Sequence, residues 1–198
     1  MPATRAQNLQ PEKPIQTIRK GTVSVGTDLG LGNLSMDRIS PNQTNLLYDI
    51  RLSPSIGYFV NDHLMLSASV FGGLAQDFNY FKEPVRYNDA HVGISIGGRY
   101  YFGKGVTPQG EVRKLRFYGE AGVGLAQRRE KWTSTYSGDV SKSRNGYAFA
   151  NLGAGINYFL TPNVAFETGL TYNRNFLGYR QADASLQIKL GIRVFLHK

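Results

Sequence analysis

Pro54–Val70, PSIGYFVNDHLMLSASV, decides how the rest of this chain is read. One face of the stretch carries Ile56, Tyr58 and Val60, then Leu64, Leu66, Ala68 and Val70 after the polar break Asn61-Asp62-His63. The other face carries Ser55, Gly57 and Phe59, then Met65, Ser67 and Ser69. Period-two alternation on both sides of a short polar break predicts a β-hairpin. The same grammar returns in "RYYFGKG" leading to "KLRFYGEAGVG", and in "NYFLTPNVAFETGL": an aromatic strand end, a break, then alternation again.

Worked outward from the hairpin, the chain divides into alternating stretches at about 22–31, 46–60, 64–75, 90–102, 115–126, 147–160, 164–173 and 184–196. No helical periodicity interrupts them. Tight connections fall near 61–63 and 161–163, with 103–114 a longer exception. The opposite set, about 32–45, 76–89, 127–146 and 174–183, is long and polar. Short turns at one end and long loops at the other predict an all-β, eight-stranded antiparallel up-and-down barrel of transmembrane type. Pro54 lacks a ladder donor and predicts a bulge inside its strand.

The apolar parity of these stretches (Leu52, Ile56, Leu66, Val70, Ile94, Ile96, Val123, Leu125, Leu152, Leu170, Ile188, Leu190 and others) carries no charge. The opposite parity holds Asp28, Asp49, Arg51, Arg99, Arg116, Tyr118, Glu120, Glu167, Lys189 and Arg193, interleaved with glycines such as Gly97, Gly122, Gly153, Gly155, Gly169 and Gly191. Glycine weakens a water-facing strand, whereas a crowded lumen needs small residues beside long ones. The apolar face is therefore expected to meet lipid. Tyr58, Tyr100, Phe102, Phe117, Tyr158 and Phe166 fall on it near the short turns, and Tyr48 and Tyr172 toward the long loops, as aromatic girdles. Five inward cations against four inward anions predict a lumen mostly plugged by ion pairs, with Glu167 and Arg193 preferred as cross-strand partners.

A chain of 198 residues suffices for one barrel, and its lack of cysteine excludes disulfides, a thiol nucleophile and a thiolate metal site. The net charge of +9 points to anionic partners. Residues 1–20 are polar and basic and predict a flexible tail before a barrel spanning 21–198. Met1 opens onto polar sequence rather than an export signal, so the expectation is a mature chain.

"SPSIGYFVNDHLML", "GAGINYFLTPNVAFETGL" and the terminal "LQIKLGIRVFL" resemble the porin-family outer-membrane β-barrel domain, of the small eight-stranded OmpA/OmpX-like type, over about residues 20–198. The resemblance implies a bacterial outer-membrane location, a periplasmic amino terminus, periplasmic short turns, surface loops and no cofactor. It also implies that the last strand is read by the barrel-assembly machinery. Lys189 and Gly191 match that signal, while Val194 and Leu196 stand at its aromatic positions and Phe195 is out of phase.

Chemistry is sparse. His63 falls in a turn and His197 at the chain end, while His91 is read as a lumen-rim side chain. Ser95 stands four residues from His91, about 13 Å along a strand, too far for a nucleophile and its base. "GEAGVGLA" (119–126) follows no strand–helix junction, which removes a nucleotide reading. Neither catalysis, a metal nor nucleic acid is expected. In the 127–146 loop, Arg128, Arg129, Lys131, Lys142 and Arg144 against Glu130 and Asp139 leave a net +3, a surface patch suited to lipopolysaccharide phosphates or host glycans. The expected protein is monomeric and sits among outer-membrane lipid, with a structural or surface-recognition role. The alternatives are a narrow passive pore for small solutes and a soluble lipocalin-like ligand-binding barrel.

Overall fold

The computed structural model describes residues 18–35, 46–79, 85–103, 113–134, 138–178 and 184–196. Eight strands follow in chain order: β1 (Val23–Ser35), β2 (Leu46–Phe59), β3 (Leu64–Asn79), β4 (Val85–Tyr101), β5 (Leu115–Ser134), β6 (Val140–Thr161), β7 (Val164–Gly178) and β8 (Ala184–Leu196). Each pairs antiparallel with its sequence neighbours, and β8 closes on β1 through Val25↔Val194 and Leu29↔Leu190. Closure leaves no sheet edge with unpaired backbone groups, which is the condition for a sheet to stand in lipid.

The barrel is apolar outside and polar inside. Ile94, Ile96, Leu125 and Leu152 are 58–65% exposed on the outer wall, whereas Arg99, Arg116, Glu167 and Arg193 are at most 4% exposed. A water-soluble barrel needs the reverse, because burying apolar area is what stabilises it. This distribution overturns the lipocalin-like alternative. Tyr58, Tyr100, Phe102, Phe117, Tyr158 and Phe166 stand exposed on the wall near the short turns; Tyr172 and Phe176 do so toward the other end. The side chain of Tyr48 lies outside the described residues.

Four expectations are corrected. First, two of the long polar connections, 76–89 and 127–146, are largely strand over their described residues. Strand β3 runs on to Asn79, β4 begins at Val85, β5 runs to Ser134 and β6 begins at Val140. Beyond the lipid neither face has to be apolar, so alternation ends while the ladder continues through Arg129↔Arg144 and Lys131↔Lys142. Second, the longer strands carry Arg129, Lys131, Lys142, Arg144 and Arg174 on the outward parity. Third, no bulge forms at Pro54: it pairs with Thr27 on β1, and register with β3 is the same at Leu52↔Gly72 and Ser55↔Ser69. The missing donor faces β3, where pairing lapses at Ser53 and Pro54 alone, so no extra residue is needed. Bulges fall instead beside Leu31, Phe149 and Thr161.

The fourth correction concerns the amino-terminal segment. Residues 1–17 of the expected tail lie outside the described residues. Ile18, however, is fully buried against the mouth of the barrel, and the Lys20 backbone N–H donates to Asp62 Oδ1 at 2.8 Å. Ile18 and Lys20 therefore pack against the barrel and do not stand free of it.

Candidate functional site

Three layers fill the lumen, ordered from the short-turn end outward. The first is apolar. Phe59, Met65, Tyr101, Phe159, Ala165 and Phe195 close in around Ile18, none more than 4% exposed. The Phe59 ring lies 5.5 Å from Tyr101 and 6.1 Å from Phe195, and Phe159 lies 5.4 Å from Phe195. Tilted contacts of this kind bring ring edges to ring faces and make a well-packed floor.

Directly above lies the charged layer. Glu167 on β7 accepts two hydrogen bonds from Arg99, at 2.6 and 2.7 Å, one from Arg193 Nε at 2.9 Å and one from the Tyr118 hydroxyl at 3.0 Å. Arg99 also donates to Glu120 at 2.8 Å, and its guanidinium lies 4.0 Å from the Tyr118 ring centroid. Glu120 is further held by Lys189 and by the Thr171 hydroxyl at 3.2 Å. Arg193 reaches Ser24 at 3.2 Å and Asp28 at 3.7 Å. Five strands contribute charged groups, so each ion is neutralised by groups on other strands and not along its own, where same-face neighbours stand about 7 Å apart. Bidentate, charge-assisted contacts offset the desolvation of such buried ions.

The third layer is mixed. The Arg51 guanidinium lies 3.4 Å from the centre of the Phe71 ring, a cation–π contact made away from water. Asp49 accepts a bond from Gln187 at 3.0 Å, and His91 Nε2 stands 3.9 Å from Asp49 Oδ1. Higher still, Arg128 pairs with Asp89 and, at 3.1 Å, with Glu130. Arg128 thus leaves the expected surface patch: period two turns it inward while Arg129 and Lys131 point out. Between the second and third layers is a cavity of about 90 Å³, bordered by Ser67, Ser69, Asn151 and Lys189.

Three of the ten predicted lumen residues stand apart from this carboxylate cluster, Asp49 among them in the mixed layer with Gln187 and His91. Arg51 stacks on Phe71 as described, and Arg116 donates to the Gly103 carbonyl at 3.0 Å near the floor. Ser95, set aside as a nucleophile for His91 on spacing alone, has its Oγ 2.7 Å from Ser69 Oγ on the neighbouring strand. His63 bonds through Nδ1 to the Tyr101 carbonyl at 3.0 Å and stacks on Tyr100, a turn-fixing role. His197 lies outside the described residues.

The profile of the outer membrane protein beta-barrel domain matches residues 14–193. The chain belongs to that family. It is similar in fold to the N-terminal β-barrel domain of OprF from Pseudomonas aeruginosa, with 22% identity, a TM-score of 0.54, and 90% of this chain and 99% of that one covered. OprG, from the same organism, gives 12% identity and a TM-score of 0.51, covering 93% and 100%. A major outer membrane protein of Thermus thermophilus gives 11% and 0.50, covering 88% and 99%. At these identities the likeness is one of fold. No curated protein matches the chain.

In this outer-membrane barrel, lumen residues escaped the sequence reading for two reasons. Asp89 and Glu130 lay in stretches read as loop, although each keeps the inward parity of its strand. Thr171, Asn173 and Gln187 share the inward parity too, but carry no charge to draw notice. The glycines make room for all of them. A Cβ on Gly155 would meet the Tyr118 ring and the Thr168 carbonyl, whereas one on Gly98 would find its nearest neighbours at 3.9 Å. Gly155→Ala is therefore expected to destabilise the barrel by about 1–3 kcal/mol, and Gly98→Ala by much less. Urea unfolding in detergent micelles measures both, and equal losses would refute the packing account.

Proposed function

We propose that this outer-membrane barrel is a structural, surface-exposed wall protein without catalytic chemistry, its lumen closed to steady solute flow. The observation that carries this reading is the stacking of two different seals: the apolar floor around Ile18, and the carboxylate cluster centred on Glu167 immediately above it. An ion crossing the barrel would have to displace packed rings and then compete with bidentate contacts out of bulk water. The near balance of inward charge supports the same reading, because a selective channel favours one sign. The polar Lys189–Gly191 signal supports assembly through β8, and a closed sheet of this size is consistent with a monomer.

A narrow pore is the second reading, favoured by the cavity of about 90 Å³ beside Ser67 and Ser69. It has room for a few waters, but conduction would require the floor to move. In a planar bilayer the purified chain is expected to show no steady conductance. A stable ohmic pore, unchanged by Glu167→Gln or Ile18→Ala, would overturn the closed-lumen reading and favour the pore.

A further inference from the structure

The outward face of the β5–β6 hairpin holds four cations in two facing pairs. Arg129 stands opposite Arg144, and one step further out Lys131 stands opposite Lys142. All four are exposed. Among the described residues no carboxylate lies within ion-pairing distance of any of them; the nearby acids, Asp89 and Glu130, point inward and are held by Arg128. Like charges directly opposite on a sheet repel at a Cβ separation of about 5 Å. Such an arrangement is stabilised when an anion lies between the pairs.

Depth identifies which anion. On β5 the outward position directly below the cations is Gln127, and below it come Leu125 and Val123, both bare on the lipid-facing wall. Arg129 follows Leu125 by four residues, about 13 Å along the strand. With a tilt of about 40° this is about 10 Å along the membrane normal. The guanidinium therefore clears the hydrocarbon and stands at headgroup level. Among the cations is an open recess of about 430 Å³, bordered also by Leu74, Ala90 and Ser143 and by Asp89 and Glu130, the two acids that Arg128 holds. Leu74, 69% exposed, continues that recess down onto the apolar wall. A soluble anion would use the cations and gain nothing from Leu74 or the wall below. A phosphorylated lipid uses both, its phosphate between the cation pairs and an acyl chain on the wall.

We propose that Arg129, Lys131, Lys142 and Arg144 form a docking site for the phosphate-bearing headgroup of an outer-leaflet lipid. The site lies on the outer wall, so it stands whether or not the lumen conducts.

The test reconstitutes the full chain in nanodiscs of neutral phospholipid and titrates lipopolysaccharide or its enzymatically dephosphorylated form, with retained lipid read by native mass spectrometry. Wild type is expected to prefer the phosphorylated form by about tenfold or more, since each cation near the surface contributes about 1 kcal/mol. The double variant Arg129→Ser/Arg144→Ser should lose that preference. Arg113→Ser/Lys114→Ser removes equal charge at the opposite rim and should keep it. Heat-modifiable gel mobility confirms that each variant is folded. Equal binding of both lipid forms to wild type would overturn the proposal and leave only the apolar wall. An unchanged preference in the Arg129/Arg144 variant would also overturn it, as would inorganic phosphate displacing the lipid at comparable concentration, which would mark a simple anion site.

Discussion

Glu167→Ala is expected to cost the barrel about 3–5 kcal/mol, because it strands two buried guanidinium groups at once. Arg99 loses its bidentate partner and keeps Glu120 and the face of the Tyr118 ring; Arg193 loses its 2.9 Å contact and keeps the longer approach to Asp28 and two serine hydroxyls. Neither cation can reach bulk water, since both are at most 4% exposed. The cost therefore comes from uncompensated desolvation more than from the lost attraction. A consequence follows for the double variant. Once Arg193→Met has removed one of the two cations, losing Glu167 strands only Arg99, so the two changes together should cost less than their sum by about 1–3 kcal/mol. Urea unfolding from lipid vesicles, read by gel mobility with and without heating, gives all four corners of the cycle. Additive losses would mean that Glu167 and Arg193 do not act as a pair.

The wall of this barrel was legible in its sequence because lipid imposes a single rule on one parity. Ile94, Val123 and Leu152 had to be apolar wherever the strand lay in the membrane, and the alternation recorded it. Where the membrane ends, the rule ends. Nothing in "QRREKW" distinguishes a loop from a strand in water, so on sequence alone the upper part of β5 and β6 reads as loop and Arg128 groups with its neighbours. Had period two been carried upward from Glu120, it would have turned Arg128 and Glu130 inward.

The lumen was legible only as a set of residues. Parity places Arg99, Glu120, Glu167, Lys189 and Arg193 on one face, but their partners depend on stagger between strands. Arg99 meets Glu120 because β4 and β5 are in register at that pair, and a connection as long as 103–114 does not set that register from sequence the way a two-residue hairpin turn would. The contact from Arg99 to Glu167 crosses the barrel from β4 to β7, and only closure sets that distance. The apolar floor was hidden for a different reason. Phe59 and Phe195 are apolar residues on the polar parity, so each looked like an irregularity, and Ile18 lay in sequence with no alternation to mark it.

Ile94→Arg is expected to cost about 2–4 kcal/mol, and Val140→Arg at most about 1 kcal/mol, although the two side chains are comparably exposed at 58% and 50%. The difference is depth. Ile94 is six residues from Tyr100, whose ring stands in the turn-side girdle, so it lies about 20 Å along a tilted strand from that interface. That places it near the middle of an apolar band about 25 Å tall, where a guanidinium can reach water only by thinning the bilayer. Val140 pairs with Thr133, beyond Lys131 and Lys142, where the wall is already charged. Refolding each variant from urea into lipid vesicles and measuring the unfolding midpoint compares the two directly. Surface burial in a soluble core predicts no such gradient, because exposure alone would then rank the sites. Equal costs at Ile94 and Val140 would therefore remove lipid as the solvent of this wall.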